Sequence, residues 1–240
     1  MRWSYLGIGC LLLACSCART VRRPIDLPGV MLWAWQRPED LRFIDTNSAG
    51  VAYLAGTARI RADGISTFEP RLQPLRVKPG TATLAVVRIE SAPRHLGVET
   101  APILDSVRRI ATTPGIRGVQ IDFDARESER AFYLSLLATL QAQLPVPVSV
   151  TALASWCEGD RWLEQSAIAE AVPMFFRMGP GEARNMTVAS GVCGSSIGLS
   201  TDEPWPVHRP ATAKRVYLFH PRAWDQDAYR DALQKIGDWK

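Results

Sequence analysis

The chain has 240 residues, enough for one large domain or two small ones. Hydrophobic residues at 47% and charged residues at 22% exclude a disordered chain, a collagen-like repeat and a disulfide-dense miniprotein. Lys plus Arg exceed Asp plus Glu by 28 to 24, a surplus of +4, and the arginines are scattered rather than gathered in a stripe, so no nucleic-acid partner is expected.

Arg2 supplies a positive start, and Leu6 to Ala14 is a short apolar run ending at Cys15. That run is too short to span a bilayer, which takes about 20 helical residues, and it reads as a signal peptide over residues 1–14. Leu12-Leu13-Ala14-Cys15 resembles the bacterial lipobox, which implies Cys15 as the lipidated mature N-terminus. Ser16 after it implies sorting to the outer membrane, with the protein on the periplasmic face. Residues 15–28, with Arg19, Arg22, Arg23, Pro24 and Pro28, carry no periodic apolar pattern and read as a tether.

Residues 29–240 read as one domain of alternating strands and helices. Eight strands are predicted: Val30 to Trp35, Val51 to Ile60, Thr83 to Glu90, Gly118 to Asp124, Val146 to Leu153, Ala171 to Phe176, Ser195 to Leu199 and Arg215 to Phe219. Helices are predicted at Pro38 to Ile44, Ala101 to Thr112, Glu127 to Leu144, Asp160 to Ala169, Gly181 to Ala189 and Asp225 to Lys240, from apolar residues at three- and four-residue spacing. This pattern suits a compact, partly irregular (β/α)8 barrel. Ala62 to Pro79, with Asp63-Gly64 and three prolines, predicts an irregular crossover or a hairpin, and Thr201 to Thr212 a loop. An open doubly wound sheet is the alternative, but no glycine-rich phosphate turn supports it.

The segment Gly118-Val119-Gln120-Ile121-Asp122-Phe123-Asp124 is the most informative. Alternation puts Val119, Ile121 and Phe123 on the helix-covered face and aims Gln120, Asp122 and Asp124 into the barrel. Two carboxylates at i and i+2 would stand roughly 6 to 7 Å apart, close enough for one to hold a proton while the other stays charged. Barrel sites lie at the C-terminal strand ends, where this pair falls. On this pattern Asp124 is the expected general acid, Asp122 stays ionised and tunes it, and Glu90, on one face with Arg88, is the partner carboxylate. Trp33, Trp35, Trp156 and Trp224 fall near strand ends and are candidate platforms for sugar rings, with Arg88 and Arg177 as further binding groups. The competing reading of the aspartates is a structural network neutralised by Arg88, Arg126 or Arg177.

This strand resembles the signature of the family 18 glycoside hydrolases, Asp-x-x-Asp-x-Asp-x-Glu. Asp122 falls on the last aspartate and Asp124 on the glutamate acid, while Gln120 and Arg117 replace the earlier aspartates. Met174-Phe175-Phe176-Arg177 resembles, more loosely, that family's Met-x-Tyr-Asp strand. The chain also resembles an uncharacterised family of bacterial secreted proteins and lipoproteins with predicted glycosidase-like barrels. The likeness runs through Leu32-Trp33-Ala34-Trp35, Ile121 to Arg126, Thr151 to Cys157, Val172-Pro173-Met174, Ser200 to Pro204 and Phe219-His220-Pro221. These resemblances imply a barrel fold and glycan as the partner.

Other motifs carry less. His95, His208 and His220 have no ligand spacing; Asp122, Asp124 and His220 are a remote metal alternative, so neither metal nor cofactor is expected. The oxidising compartment implied by the signal invites a disulfide between Cys157 and Cys193, but their predicted places at opposite ends of the barrel argue against it, since a bridge needs Cα atoms within about 7 Å and a strand spans ~17 to 20 Å; the pairing stays open. Gly194-Ser195-Ser196-Ile197-Gly198 matches Gly-x-Ser-x-Gly, but Ser196 begins a strand instead of ending one. Asn185-Met186-Thr187 is read as a chance sequon, and Asp202 and Glu203 as loop residues. The expectation is an anchored envelope protein acting on polysaccharide by carboxylate chemistry; the alternative is a non-catalytic glycan- or protein-binding lipoprotein on a degenerate barrel.

Overall fold

The structure is a computed structural model that describes residues 22–93, 97–178 and 191–239. The lipobox and Cys15, His95, Asn185 and the helix predicted at Gly181 to Ala189 lie outside the described residues. Eight parallel strands close into a barrel: β1 (Val30–Ala34), β3 (Ala49–Ile60), β6 (Thr83–Ser91), β7 (Ile116–Asp122), β8 (Val148–Leu153), β9 (Glu170–Met174), β10 (Ser196–Ser200) and β11 (Arg215–Phe219). Pairing of β1 with both β3 and β11 closes the ring. The (β/α)8 reading therefore holds, and each predicted strand is present to within two residues at either end. The β7 end matters most: the ladder stops at Asp122, so Asp124 stands on the loop above it.

Three long helices cover part of the wall among the described residues: α1 (Ala101–Ala111), α2 (Arg130–Gln143, entered through a 3-10 turn at Glu127–Glu129) and α3 (Gln226–Asp238). Val119, Ile121 and Phe123 face outward onto Ile103, Tyr133 and Leu137 of α1 and α2, as alternation requires. Asp225 caps α3 by accepting from the Ala228 N–H at 2.8 Å, and Tyr229 and Ala232 bury that helix against the β1, β10 and β11 side.

Two predicted helices are absent. At Pro38 to Ile44 the backbone instead forms β2 (Glu39–Asp40), paired with β5 (Leu75–Arg76). There Glu39 turns inward, accepting from the Trp224 N–H at 2.9 Å and pairing with Arg37, and this tertiary demand overrides local helical spacing. At Asp160 to Ala169, Arg161 adopts a left-handed φ of 47° and only a 3-10 turn, Trp162–Gln165, follows. Trp162 is drawn into the core against Trp156 and Tyr133.

The crossover at residues 62–79 holds the expected hairpin: β4 (Ser66–Pro70) runs antiparallel to the upper part of β3. A β-bulge between Leu54 and Gly56 reverses the faces of β3, so Ala52 and Leu54 point into the barrel but Ala58 and Ile60 point outward. Gly56 is required there, because a Cβ would stand 2.3 Å from the Phe68 ring and 2.7 Å from the Glu69 carbonyl oxygen.

Residues 22–29 run extended across the N-terminal end of the barrel. Arg23 donates to the carbonyls of Gln141, Leu144 and Val146, Arg215 donates to those of Ile25, Leu27 and Pro28, and Asp26 pairs with Arg117. Ile25 enters the floor where Gly118 leaves room; a Cβ on Gly118 would sit 2.5 Å from its Cδ1.

Cys157 and Cys193 are bonded, with Cα atoms 5.7 Å apart, despite their predicted places at opposite ends. The strands match their predicted ranges, and the bond forms through the segments that follow β8 and precede β10. After β8 a helical turn at Trp156–Asp160 folds down over the outer wall, and the 3-10 turn Gly191–Cys193 packs beside β9 on that same wall.

Candidate functional site

The inner face of the barrel is apolar in its middle, with Met31, Leu54, Leu84, Val86, Val172 and Tyr217 closing any through-passage. Above this layer, at the C-terminal strand ends, a cavity of about 690 Å³ opens. Trp33, Trp35, Arg88, Glu90, Asp122, Asp124 and Arg177 all line it, so seven of the nine sequence-derived catalytic and binding candidates converge. Trp156 and Trp224 do not. Both are 4% exposed, Trp156 in the outer core against Trp162 and Trp224 donating its indole N–H to the Trp33 carbonyl at 2.9 Å. The chain turns outward as it leaves β8 and β11, which carries these two rings behind the wall.

Asp122 is buried. Its Oδ1 accepts from the Thr151 hydroxyl at 2.8 Å and its Oδ2 from Arg88 Nη1 at 3.3 Å. Burial pushes its pKa above the usual carboxylate value; the Thr151 and Arg88 donors oppose this only partly, and the charge of Asp124 adds to it. Asp124 is exposed and has no hydrogen bond or ion pair among the described residues. The environment thus favours a proton on Asp122, the carboxyl that the strand pattern reads as the ionised one. Glu90 is held on both sides, by Arg88 Nε at 3.2 Å and by Arg59, which in turn pairs with Glu69. The bulge in β3 turns Arg59 toward Glu90, and a bulge leaves no mark in sequence alternation.

Sequence reasoning also missed Thr151, although its alternation with Ser149 in an otherwise apolar strand marks an inward polar face. It missed the aromatic wall as well. Phe176 and Phe219 stack at 5.6 Å, Phe219 meets Trp33 edge-on at 6.5 Å, Trp33 stacks with Trp35 at 5.8 Å, and Arg88 lies over Trp35 at 5.6 Å. The indole N–H of Trp33 is buried without a partner among the described residues. Arg126, offered as a neutraliser of the aspartates, instead binds Glu129, Ser91 and the Ala92 carbonyl.

Arg177 stands at the rim with a left-handed φ of 54°. Its backbone N–H donates to Glu203 Oε2 at 2.8 Å, and its guanidinium lies 5.7 Å over the Phe219 ring. Glu203, read as a loop residue, therefore positions a cavity residue. Ser196 is buried and donates to Glu170 inside the barrel, away from this cavity. His220 bonds Thr201 through Nδ1 at 2.7 Å and lines a neighbouring groove with Asp202 and Lys235. Among the described residues no three His, Cys, Asp or Glu side chains gather closely enough to hold a metal ion, and no helix is long and apolar enough to cross a membrane.

The fold and site together define a (β/α)8 barrel with an acidic and aromatic cavity at its C-terminal mouth. No family model, curated protein or solved structure matches the chain.

Proposed function

We propose that this protein is a glycoside-hydrolase-like envelope lipoprotein that acts on polysaccharide by carboxylate acid/base chemistry. One observation carries the reading: a buried carboxyl of raised proton affinity, Asp122, shares an aromatic-walled cavity with an exposed carboxylate, Asp124, that is unpaired among the described residues. Such a pair suits hydrolysis of a glycosidic bond. The protonated carboxyl gives its proton to the leaving oxygen as the bond to the anomeric carbon breaks, while the carboxylate takes a proton from the water whose oxygen bonds to that carbon. Trp35, Phe176 and Phe219 offer flat faces for sugar rings. Glu90, with both oxygens held by arginines, suits a supporting role. The Leu12-Leu13-Ala14-Cys15 tetrad and Ser16 support an outer-membrane lipid anchor with the domain on the periplasmic side; glycan is the partner, with no role for nucleic acid or a cofactor.

A second reading has its own support. Thr151, Arg88 and Arg59 occupy oxygens of Asp122 and Glu90, as in a site that binds glycan or protein without turning it over. Reducing-end release from peptidoglycan fragments and a panel of common glycans separates the two. Turnover by the parent protein, lowered about 10²- to 10⁴-fold in Asp124→Asn with binding retained, is the expected result. Binding without turnover, unchanged by that substitution, overturns the hydrolase in favour of the binding protein.

A further inference from the structure

Three arginines line the cavity, and two of them are fully engaged. Arg37 donates to Glu39 and to the carbonyls of His220 and Pro221. Arg88 donates to Asp122 and Glu90. The Arg177 guanidinium has no hydrogen bond or ion pair among the described residues, although three carboxylates line the same cavity. The side chain is exposed, yet its position is set. A left-handed backbone that a non-glycine residue adopts at a cost, a bond from its N–H to Glu203, and the Phe219 ring beneath the guanidinium fix where it stands. The aromatic row Phe176, Phe219, Trp33, Trp35 then connects it, contact by contact, to Arg88 and Asp122.

We infer that the saccharide bound here carries a singly charged oxyanion, a carboxylate or a sulfate ester, seated on the Arg177 fork while its rings lie along the aromatic row toward Asp122. This rests on the glycan reading above. A guanidinium fork matches a planar carboxylate with two parallel hydrogen bonds, and it is the one unpaired cation of the cavity wall among the described residues. A phosphate monoester, with nearly two charges, fits worse beside Glu90, Asp122 and Asp124, whose negative charge a single arginine offsets only in part.

The test compares matched pairs by calorimetric titration of the full-length protein at low salt. Oligogalacturonate is set against its methyl ester, and the peptidoglycan disaccharide with its lactyl carboxylate against chitobiose; a carrageenan tetrasaccharide supplies the sulfate arm. At least one acidic sugar is expected to bind about tenfold or more tighter than its neutral counterpart, with the sulfate arm identifying the oxyanion. In Arg177→Ala, checked for a native near-UV spectrum, that ratio is expected to fall to within about twofold of unity, and Arg177→Lys to keep part of it. Equal binding of acidic and neutral members by the parent, or a ratio that survives Arg177→Ala, overturns this inference and leaves the glycan reading intact. Binding of no saccharide at all overturns both.

Discussion

Glu170 and Asp122 are both carboxylates buried on the inner face of one barrel, at its opposite ends, and their surroundings could hardly differ more. Glu170 begins β9 at the floor. It accepts from Arg215 at 2.7 Å, from the Tyr217 hydroxyl at 2.6 Å, from Ser149 at 3.4 Å and from Ser196, and Gln120 donates onward to Ser149. Asp122 ends β7 at the mouth with two donors and a cavity beside it. The floor carboxylate is enclosed by donors and by the strap of residues 22–29, whose carbonyls share Arg215 with it. A buried charge surrounded in this way is part of the architecture; one left short of donors beside open space keeps a proton within reach of a ligand.

The largest expected effect that sharpens this contrast is at the floor. Glu170→Ala leaves Arg215 without its carboxylate and should cost about 3–5 kcal/mol, lowering Tm by roughly 6–20 °C in a chain of this size. Thermal melting and urea unfolding check it, and a loss no greater than that of an exposed ion pair would break the contrast. A smaller effect is expected at Thr151. Thr151→Val removes a donor to the charged form of Asp122, worth about 1 kcal/mol, and should move the Asp122 titration to higher pH when followed by carbon-13 NMR of its carboxyl. No movement, or movement downward, would mean that Thr151 does not hold the charge. The smallest effect concerns stability. Because burial lifts Asp122 above its ordinary value of 3.8, ionising it costs the folded state stability that is intact at lower pH. Asp122→Asn should therefore melt slightly higher than the parent at pH 7, and the gain should disappear below about pH 3.8, where the parent carboxyl is protonated in both states. A variant less stable than the parent at pH 7 would show Asp122 to be a structural charge like Glu170.

The barrel was legible in the sequence because the wall strands are predominantly apolar runs separated by turn and helical segments, and because Gln120, Asp122, Ser149 and Thr151 break two of those runs on one face only. The convergence of Asp122, Asp124, Glu90 and Arg88 followed from alternation and from the rule that barrel sites open at the C-terminal ends. Partner choice was not legible. Nothing local shows that Glu39 is drawn to the Trp224 N–H, that Glu170 will meet Arg215 across 45 residues, or that Cys157 and Cys193 are joined. The sequence also gave no hint of the bulge in β3, since skipping one residue leaves its composition unchanged and reverses which side chains face the cavity.

The strap of residues 22–29 has a consequence for how the molecule would stand on a surface. It crosses beneath the barrel, so Arg22 and Arg23 lie at the end opposite the opening. Only seven positions separate Arg22 from Cys15, a leash of at most about 25 Å when drawn straight. Were Cys15 the lipid anchor proposed above, the point of attachment would lie within that distance of the barrel's closed end, on the side away from the aperture.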